Sequence, residues 1–117
     1  MLFRSGAGFF INARCDLFLQ ADRSVHDAAL MAAWLERAKA YADAGADGVF
    51  APGLVNADMI GELAGKAPRP LNIMMMQGAP DVAALNALGV ARVSYGGGPY
   101  RVAMQALAAG AKAIFSA

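Results

Sequence analysis

The chain has 117 residues, with 10 Lys plus Arg against 9 Asp plus Glu and a formal net charge of +1, so no long-range field favours nucleic acid or an anionic membrane surface. Apolar residues make up 58% and charged residues 16%, which excludes a disordered polyampholyte and describes a chain built to bury surface. One domain over residues 1–117 is expected. The single cysteine, Cys15, cannot form an internal disulfide and suits a reducing compartment. Asp, Glu, Lys, Arg or Gly interrupts every apolar stretch before the roughly 20 residues that a membrane span needs. Residues 1–6 carry one positive charge and no signal-peptide h-region. A cytoplasmic protein with no membrane or nucleic-acid partner is the expectation.

In chain order, the first β-like run is Phe9 to Ala13, mostly apolar and ending in polar residues. A long helix follows, with Ser24 as N-cap, Asp27 acting with it as in a capping box, and Gly45 closing the far end. Leu30, Trp34 and Tyr41 share one stripe of it. Gly48 to Ala51 is the second strand, and Asn56 to Leu63 a short helix stopped by Gly65 and Pro68. Leu71 to Met75 is the third strand, followed by a helix over Asp81 to Leu88 with Pro80 before it and Gly89 after it. Ala91 to Tyr95 is the fourth strand, and Tyr100 to Ala109 a helix opened by Pro99.

Continuous apolar strands alternating with helices specify an α/β fold with a parallel sheet. Four βα units make half of a (β/α)8 barrel, a fold that takes about 250 residues when complete. A small doubly wound sheet is the alternative, although no Gly-x-Gly-x-x-Gly turn follows the first strand.

In such folds ligands bind at the carboxyl ends of the strands. Period two along the first strand puts Asn12, Arg14 and Asp16 on one face, toward the barrel axis, and Ile11, Ala13 and Cys15 on the other. Arg14 is the leading substrate-binding candidate, because its planar fork suits a carboxylate or phosphate. The competing reading is a buried structural ion pair with Asp16. Asn12 and Asn72 are further binding candidates, Asn72 needing a polar partner in the protein or in a ligand. Pro52-Gly53 either brings backbone close to a ligand or makes a plain turn. Gly96, Gly97 and Gly98, just before a helix, form either an anion-binding loop or a flexible turn.

The remaining chemistry-bearing types point elsewhere. His26 has no second His or Cys at ligand spacing. Met74 to Met76 read as core or pocket lining, and Cys15 as a small buried residue. No catalytic set and no metal ligands emerge from the residues themselves.

Three stretches resemble the phosphoenolpyruvate mutase/isocitrate lyase family, and within it the carboxyvinyl-carboxyphosphonate phosphorylmutase-like members. They are Phe10-Ile11-Asn12-Ala13-Arg14-Cys15-Asp16, the run from Arg37 to Leu54, and Gly89-Val90-Ala91-Arg92-Val93-Ser94. The likeness spans about residues 9 to 110. It implies strands five to eight of a (β/α)8 barrel, and an enzyme that breaks or rearranges a C–C or P–C bond of a 2-oxo or dicarboxylic acid, with Mg2+ stabilising an enolate-like intermediate. It also implies that Arg14 is the substrate-binding arginine and that Asn72 lines the pocket.

Two departures qualify the likeness. Cys15 replaces the family's usual Thr, and the Asp-x-Asp strand, the metal-arranging Glu and the Lys-x-Cys-Gly loop have no counterpart in this sequence. The expectation is therefore a barrel half without Mg2+ binding or turnover of its own, which forms homo-oligomers or pairs with an N-terminal half. Two other readings remain: a non-catalytic assembly module or remnant, and a phosphate-binding half-barrel of another metabolic family.

Overall fold

A computed structural model describes residues 8–116. Four strands form one parallel sheet in the order β1-β2-β3-β4: β1 Asn12–Arg14, β2 Gly48–Ala51, β3 Leu71–Met74 and β4 Arg92–Ser94. The helices between them are α1 Leu17–Gln20, α2 Ala28–Asp43, α3 Ala57–Lys66 and α4 Val82–Ala87, and α5 Gly98–Phe115 follows β4. Sequential neighbours, all parallel and joined through helices, are the arrangement expected of part of a (β/α)8 barrel.

The sheet register sorts the side chains into two faces. Ala13, Val49, Leu71, Ile73 and Val93 point to the helices, where Val49 and Ile73 are fully buried with Phe18, Trp34, Leu54, Ile60, Leu63 and Leu85. Trp34 anchors this layer. Its ring lies 6.4 Å from that of Phe18, and its indole N–H donates to the Cys15 carbonyl at 3.3 Å. Cys15 is buried, in line with the sequence reading.

Several boundaries differ from the sequence expectation: α3 runs through Gly65, expected to stop it, to Lys66, β3 and β4 are shorter than expected, and α5 begins at Gly98. Three further differences have a clear local reason. β1 begins at Asn12, not Phe9, because the Ile11 N–H donates to the Asp47 carboxylate at 2.9 Å and leaves the regular ladder there. The long helix is capped by Asp27, not Ser24: Asp27 accepts from the Leu30 N–H at 2.8 Å. Ser24 is held instead by Asp22, which accepts from both its hydroxyl and its N–H and caps a 3-10 turn at Arg23–Val25. These bonds, the hydroxyl's first, hold the Asp22 carboxyl below the usual carboxylate range. Finally, α5 runs six residues past Ala109 to Phe115, since one glycine in an alanine-rich stretch costs only about 1 kcal/mol and does not stop a helix.

Gly45 closes α2 as expected. Its φ is +104°, its N–H donates to Ala42 and the Ala46 N–H reaches back to Tyr41, which satisfies the last free carbonyls. At the other end, Asp27→Ala should remove about 1 kcal/mol of stability and lower the thermal midpoint by about 3–6 °C. Ser24→Ala should move it much less, as a differential melt of the two variants will show.

α5 stands apart from this packing. None of its residues is buried, and among the described residues no helix is long and apolar enough to cross a membrane.

Candidate functional site

The second face of the sheet is bare. Arg14, Phe50, Asn72 and Arg92 lie in one row across the four strands, with Asn12 and Gly48 on one side of the row and Met74 and Ser94 on the other. Asn12 and Arg14 thus share the inner face, as period two predicts. They serve opposite ends of it.

Arg14 closes β1 at its carboxyl end. Its Nε–H donates to Asp16 Oδ1 at 2.5 Å and Nη2 to Oδ2 at 3.3 Å, and its guanidinium carbon lies 5.8 Å from the centre of the Phe50 ring. This is an ion pair with Asp16, but not the buried one considered above, for the two side chains are 50% and 36% exposed. The hydrogen bond to Asp16 raises the guanidinium pKa further, and the charge is permanent at any working pH. An exposed pair adds little stability. What Asp16 does is hold the Nε and Nη2 edge of the fork in place.

Asn72 is the buried polar side chain of the sheet, 1% exposed. Its amide N–H donates to Ser94 Oγ at 2.9 Å, and the Ser94 hydroxyl donates back to Asn72 Oδ1 at 3.2 Å. The partner is therefore inside the protein. Ser94 is a residue the sequence reading did not select. The register of β3 against β4 pairs Ser94 with Met74 and so sets it diagonally from Asn72 on the same face.

At the amino-terminal end, Phe10, Asn12, Pro70, Asn72, Ala91 and Arg92 line an open groove of about 390 Å³. Asn72 connects this groove to the middle of the sheet, while Arg14 sits two strand spacings away, about 10 Å across the face.

The glycine turn after β4 is tighter than a loose loop. Gly96 has φ +52°, and a side chain there would meet Met74 Sδ at 3.0 Å. The Gly98 N–H donates to the Tyr95 carbonyl at 2.9 Å, and Arg101 lays its guanidinium over Gly97. Arg101, also outside the sequence selection, supplies a cation beside the turn. One helical turn into α5, it is displaced from the Gly96–Gly98 window on which that reading rested.

The acidic side chains lie elsewhere. Glu36, Asp43, Glu62 and Asp81 are exposed on or beside helices; Asp43 pairs with Lys39, Glu62 with Lys66, and Asp81 caps α4. Among the described residues no three His, Cys, Asp or Glu side chains gather at metal-binding distance. The donor set of the described residues does not fit Mg2+. His26 is half-buried against Phe18, with Nε2 2.9 Å from the Phe18 carbonyl oxygen and the rings edge to face.

The fold and its inner face define part of a (β/α)8 barrel that carries an arginine at the carboxyl end of a strand. The family pattern described as phosphoenolpyruvate phosphomutase matches residues 3–115, and the chain belongs to that family. It is 48% identical to a protein of Burkholderia cenocepacia J2315 provisionally named a phosphonomutase, whose crystal structure superposes with a TM-score of 0.86 over 89% of this chain and 42% of that one. A second structure from the same organism, provisionally named a lyase/mutase, is 37% identical with a TM-score of 0.77, over 89% of this chain and 36% of that one. An uncharacterized protein of Mycobacterium tuberculosis H37Rv is 39% identical over 105 residues, 90% of this chain and 38% of its own length. The chain thus spans less than half the length of the relatives it matches.

Proposed function

We propose that this chain is the strand-five-to-eight part of a cytoplasmic, Mg2+-dependent lyase or mutase that acts on a C–C or P–C bond of a 2-oxo or dicarboxylic acid, phosphonopyruvate-like substrates included. The observation that carries the reading is Arg14. It is charged, exposed, oriented by Asp16 and placed at the carboxyl end of an inner-face strand, where barrel enzymes bind their substrates. Its free edge would take a substrate carboxylate or phosphonate in a charge-assisted hydrogen bond. Phe50 would form an apolar floor beneath the guanidinium, and Asn72 with Ser94 the polar wall further across.

The described residues of this chain do not supply the carboxylates that would hold Mg2+, so in this reading those ligands belong to other strands of the barrel. Alone, the chain is expected to be inactive. The test is to co-express it with the remaining strands of the 48%-identical relative and assay a panel of 2-oxo, dicarboxylic and phosphono acids. EDTA-sensitive turnover that needs both halves supports the reading. An assembled, folded but inactive barrel on every panel member would count against it, and would favour the non-catalytic module.

A further inference from the structure

We propose that Arg23 is a positioning residue for the carboxyl end of the sheet: by clamping the turn between β3 and α4 it fixes the segment between β1 and α2, and with it the Asp16 carboxylate that orients Arg14. The inference deepens the proposed function and rests on its reading of Arg14, but on no strand outside this chain.

The first observation is that residues 16–26 are bonded into one unit. The Asp16 carbonyl accepts from the Gln20 N–H at 2.9 Å, and the Leu17 carbonyl from the Ala21 N–H at 3.2 Å, which closes α1. Asp22 then takes the Ser24 N–H and hydroxyl, and the Arg23 carbonyl takes the His26 N–H at 3.2 Å. His26 Nε2 turns back to the Phe18 carbonyl oxygen at 2.9 Å. A carbonyl only accepts, so Nε2 carries the proton in this contact. The turn at Arg23–Val25 is thereby tied to α1, and a displacement of one is felt by the other. Asp16, at the start of α1, is the residue whose carboxylate holds Arg14.

The second observation is where this unit is fastened. At its base Phe18 is buried beside Trp34, and the α1 backbone at Leu19 lies against Gly53. At its far end the fastening is Arg23, whose Nη2 donates to the Gln77 carbonyl at 2.8 Å, a bond between residues 54 apart in sequence. β2 lies between β1 and β3 in the sheet, so this side chain joins connections that leave the sheet two strand spacings apart, about 10 Å. Those are the connections that follow the strands carrying Arg14 and Asn72.

The third observation is the turn that receives the guanidinium. The Ala79 N–H donates to the Met76 carbonyl at 3.0 Å and closes the turn around Gln77 and Gly78. Gly78 has φ +90°, and a side chain there would stand 3.1 Å from Arg23 Nη1 and 3.8 Å from Val55 Cγ2. Glycine therefore leaves the flat seat that the guanidinium occupies beside the backbone. Arg23 is exposed, so a single hydrogen bond there adds little to global stability. What it supplies is geometry: it sets the α1 segment, and through Asp16 the Arg14 fork, against the end of β3.

The experiment is nuclear magnetic resonance of the 117-residue chain, read at two protons: the Arg14 Nε–H, shifted downfield and slowed in exchange by its carboxylate partner, and the Ala79 N–H of the clamped turn. Arg23→Ala should return the Arg14 Nε–H to the position and exchange rate of a free arginine and speed exchange at Ala79, with Trp34 emission unchanged. Asp16→Asn should release the Arg14 proton and leave Ala79 protected. Gly78→Ala, which reaches the same contact from the other side, should reproduce the Arg23→Ala change at Arg14, and the double variant should go no further. An Arg14 signal that neither variant moves overturns the proposal even where Ala79 responds, for Arg23 would then staple one turn only. In the reconstituted barrel Arg23→Ala should lower kcat/KM by about 10–100-fold, and Arg23→Lys, which keeps a cationic donor, should recover part of that loss. Unchanged turnover overturns the proposal as well. A parent barrel without turnover would sink the reading of Arg14 as substrate binder, while the two resonances still decide what Arg23 does.

Discussion

Arg14→Ala is expected to lower kcat/KM of the reconstituted barrel by about 10²–10³-fold, the range seen when one aimed donor to developing charge is removed. The unfolding free energy of the chain should change by less than about 0.5 kcal/mol, because the pair with Asp16 is exposed and screened. The contrast between the two readouts is the point. A structural arginine would move stability and activity together. Arg14→Lys should restore only part of the activity, since an ammonium keeps the charge but not the two-pronged fork. Asp16→Asn should be milder than Arg14→Ala and act through orientation: it removes the carboxylate that fixes Nε and Nη2 while leaving the cation in place. If Arg14→Ala melts the chain, or leaves turnover intact, the substrate-binding role assigned to this residue is wrong.

Much of the fold is legible in the sequence for a plain reason: in parallel α/β units the strands are short apolar runs and the helices carry their own stop signals. Gly45 and Gly89 close α2 and α4 in the left-handed conformation that their positions demand, and the apolar runs at Gly48 and Leu71 are strands where expected. Period two alone places Arg14 and Asn12 on the same face. What it does not carry is the relation between strands. Ser94 as the partner of Asn72, Phe50 beneath Arg14, and the separation of Arg14 from Asn12 along the face all follow from the register, a product of tertiary packing.

The exchange of Ser24 for Asp27 as cap has a similar origin. Both residues are good caps, and Asp22, two positions before Ser24, captures it in a local turn that leaves Asp27 to start the helix. β1 shows the same competition: the Asp47 side chain takes the Ile11 N–H, so an apolar run that is strand by composition is only partly strand by pairing.

Gly53→Ala should be strongly destabilising. Gly53 has φ +92°, a conformation that costs a side-chain-bearing residue about 1–3 kcal/mol. The added carbon would also stand 2.6 Å from the Leu19 backbone nitrogen and Cα, and 2.8 Å from the Phe18 carbonyl carbon. Neither neighbour is a side chain that can rotate away. The backbone of α1 must move, and with it Phe18, which is 1% exposed and packs against both Trp34 and His26. Adding the loosening of that core to the backbone strain gives a loss of about 3–5 kcal/mol. That is a large share of the stability of a domain this size, about 5–15 kcal/mol.

The readout is built in, because Trp34 is the chain's single tryptophan and lies in the layer that α1 covers. Its emission should shift to the red in Gly53→Ala without denaturant, and the urea midpoint should fall steeply. Gly65→Ala, at an exposed helix position where an added methyl group meets nothing within 4 Å, should leave both unchanged or raise the midpoint slightly. Equal behaviour of the two variants would mean that α1 does not press on the Pro52–Gly53 turn as described, and that the link between the end of β2 and the helix layer is looser than this packing requires.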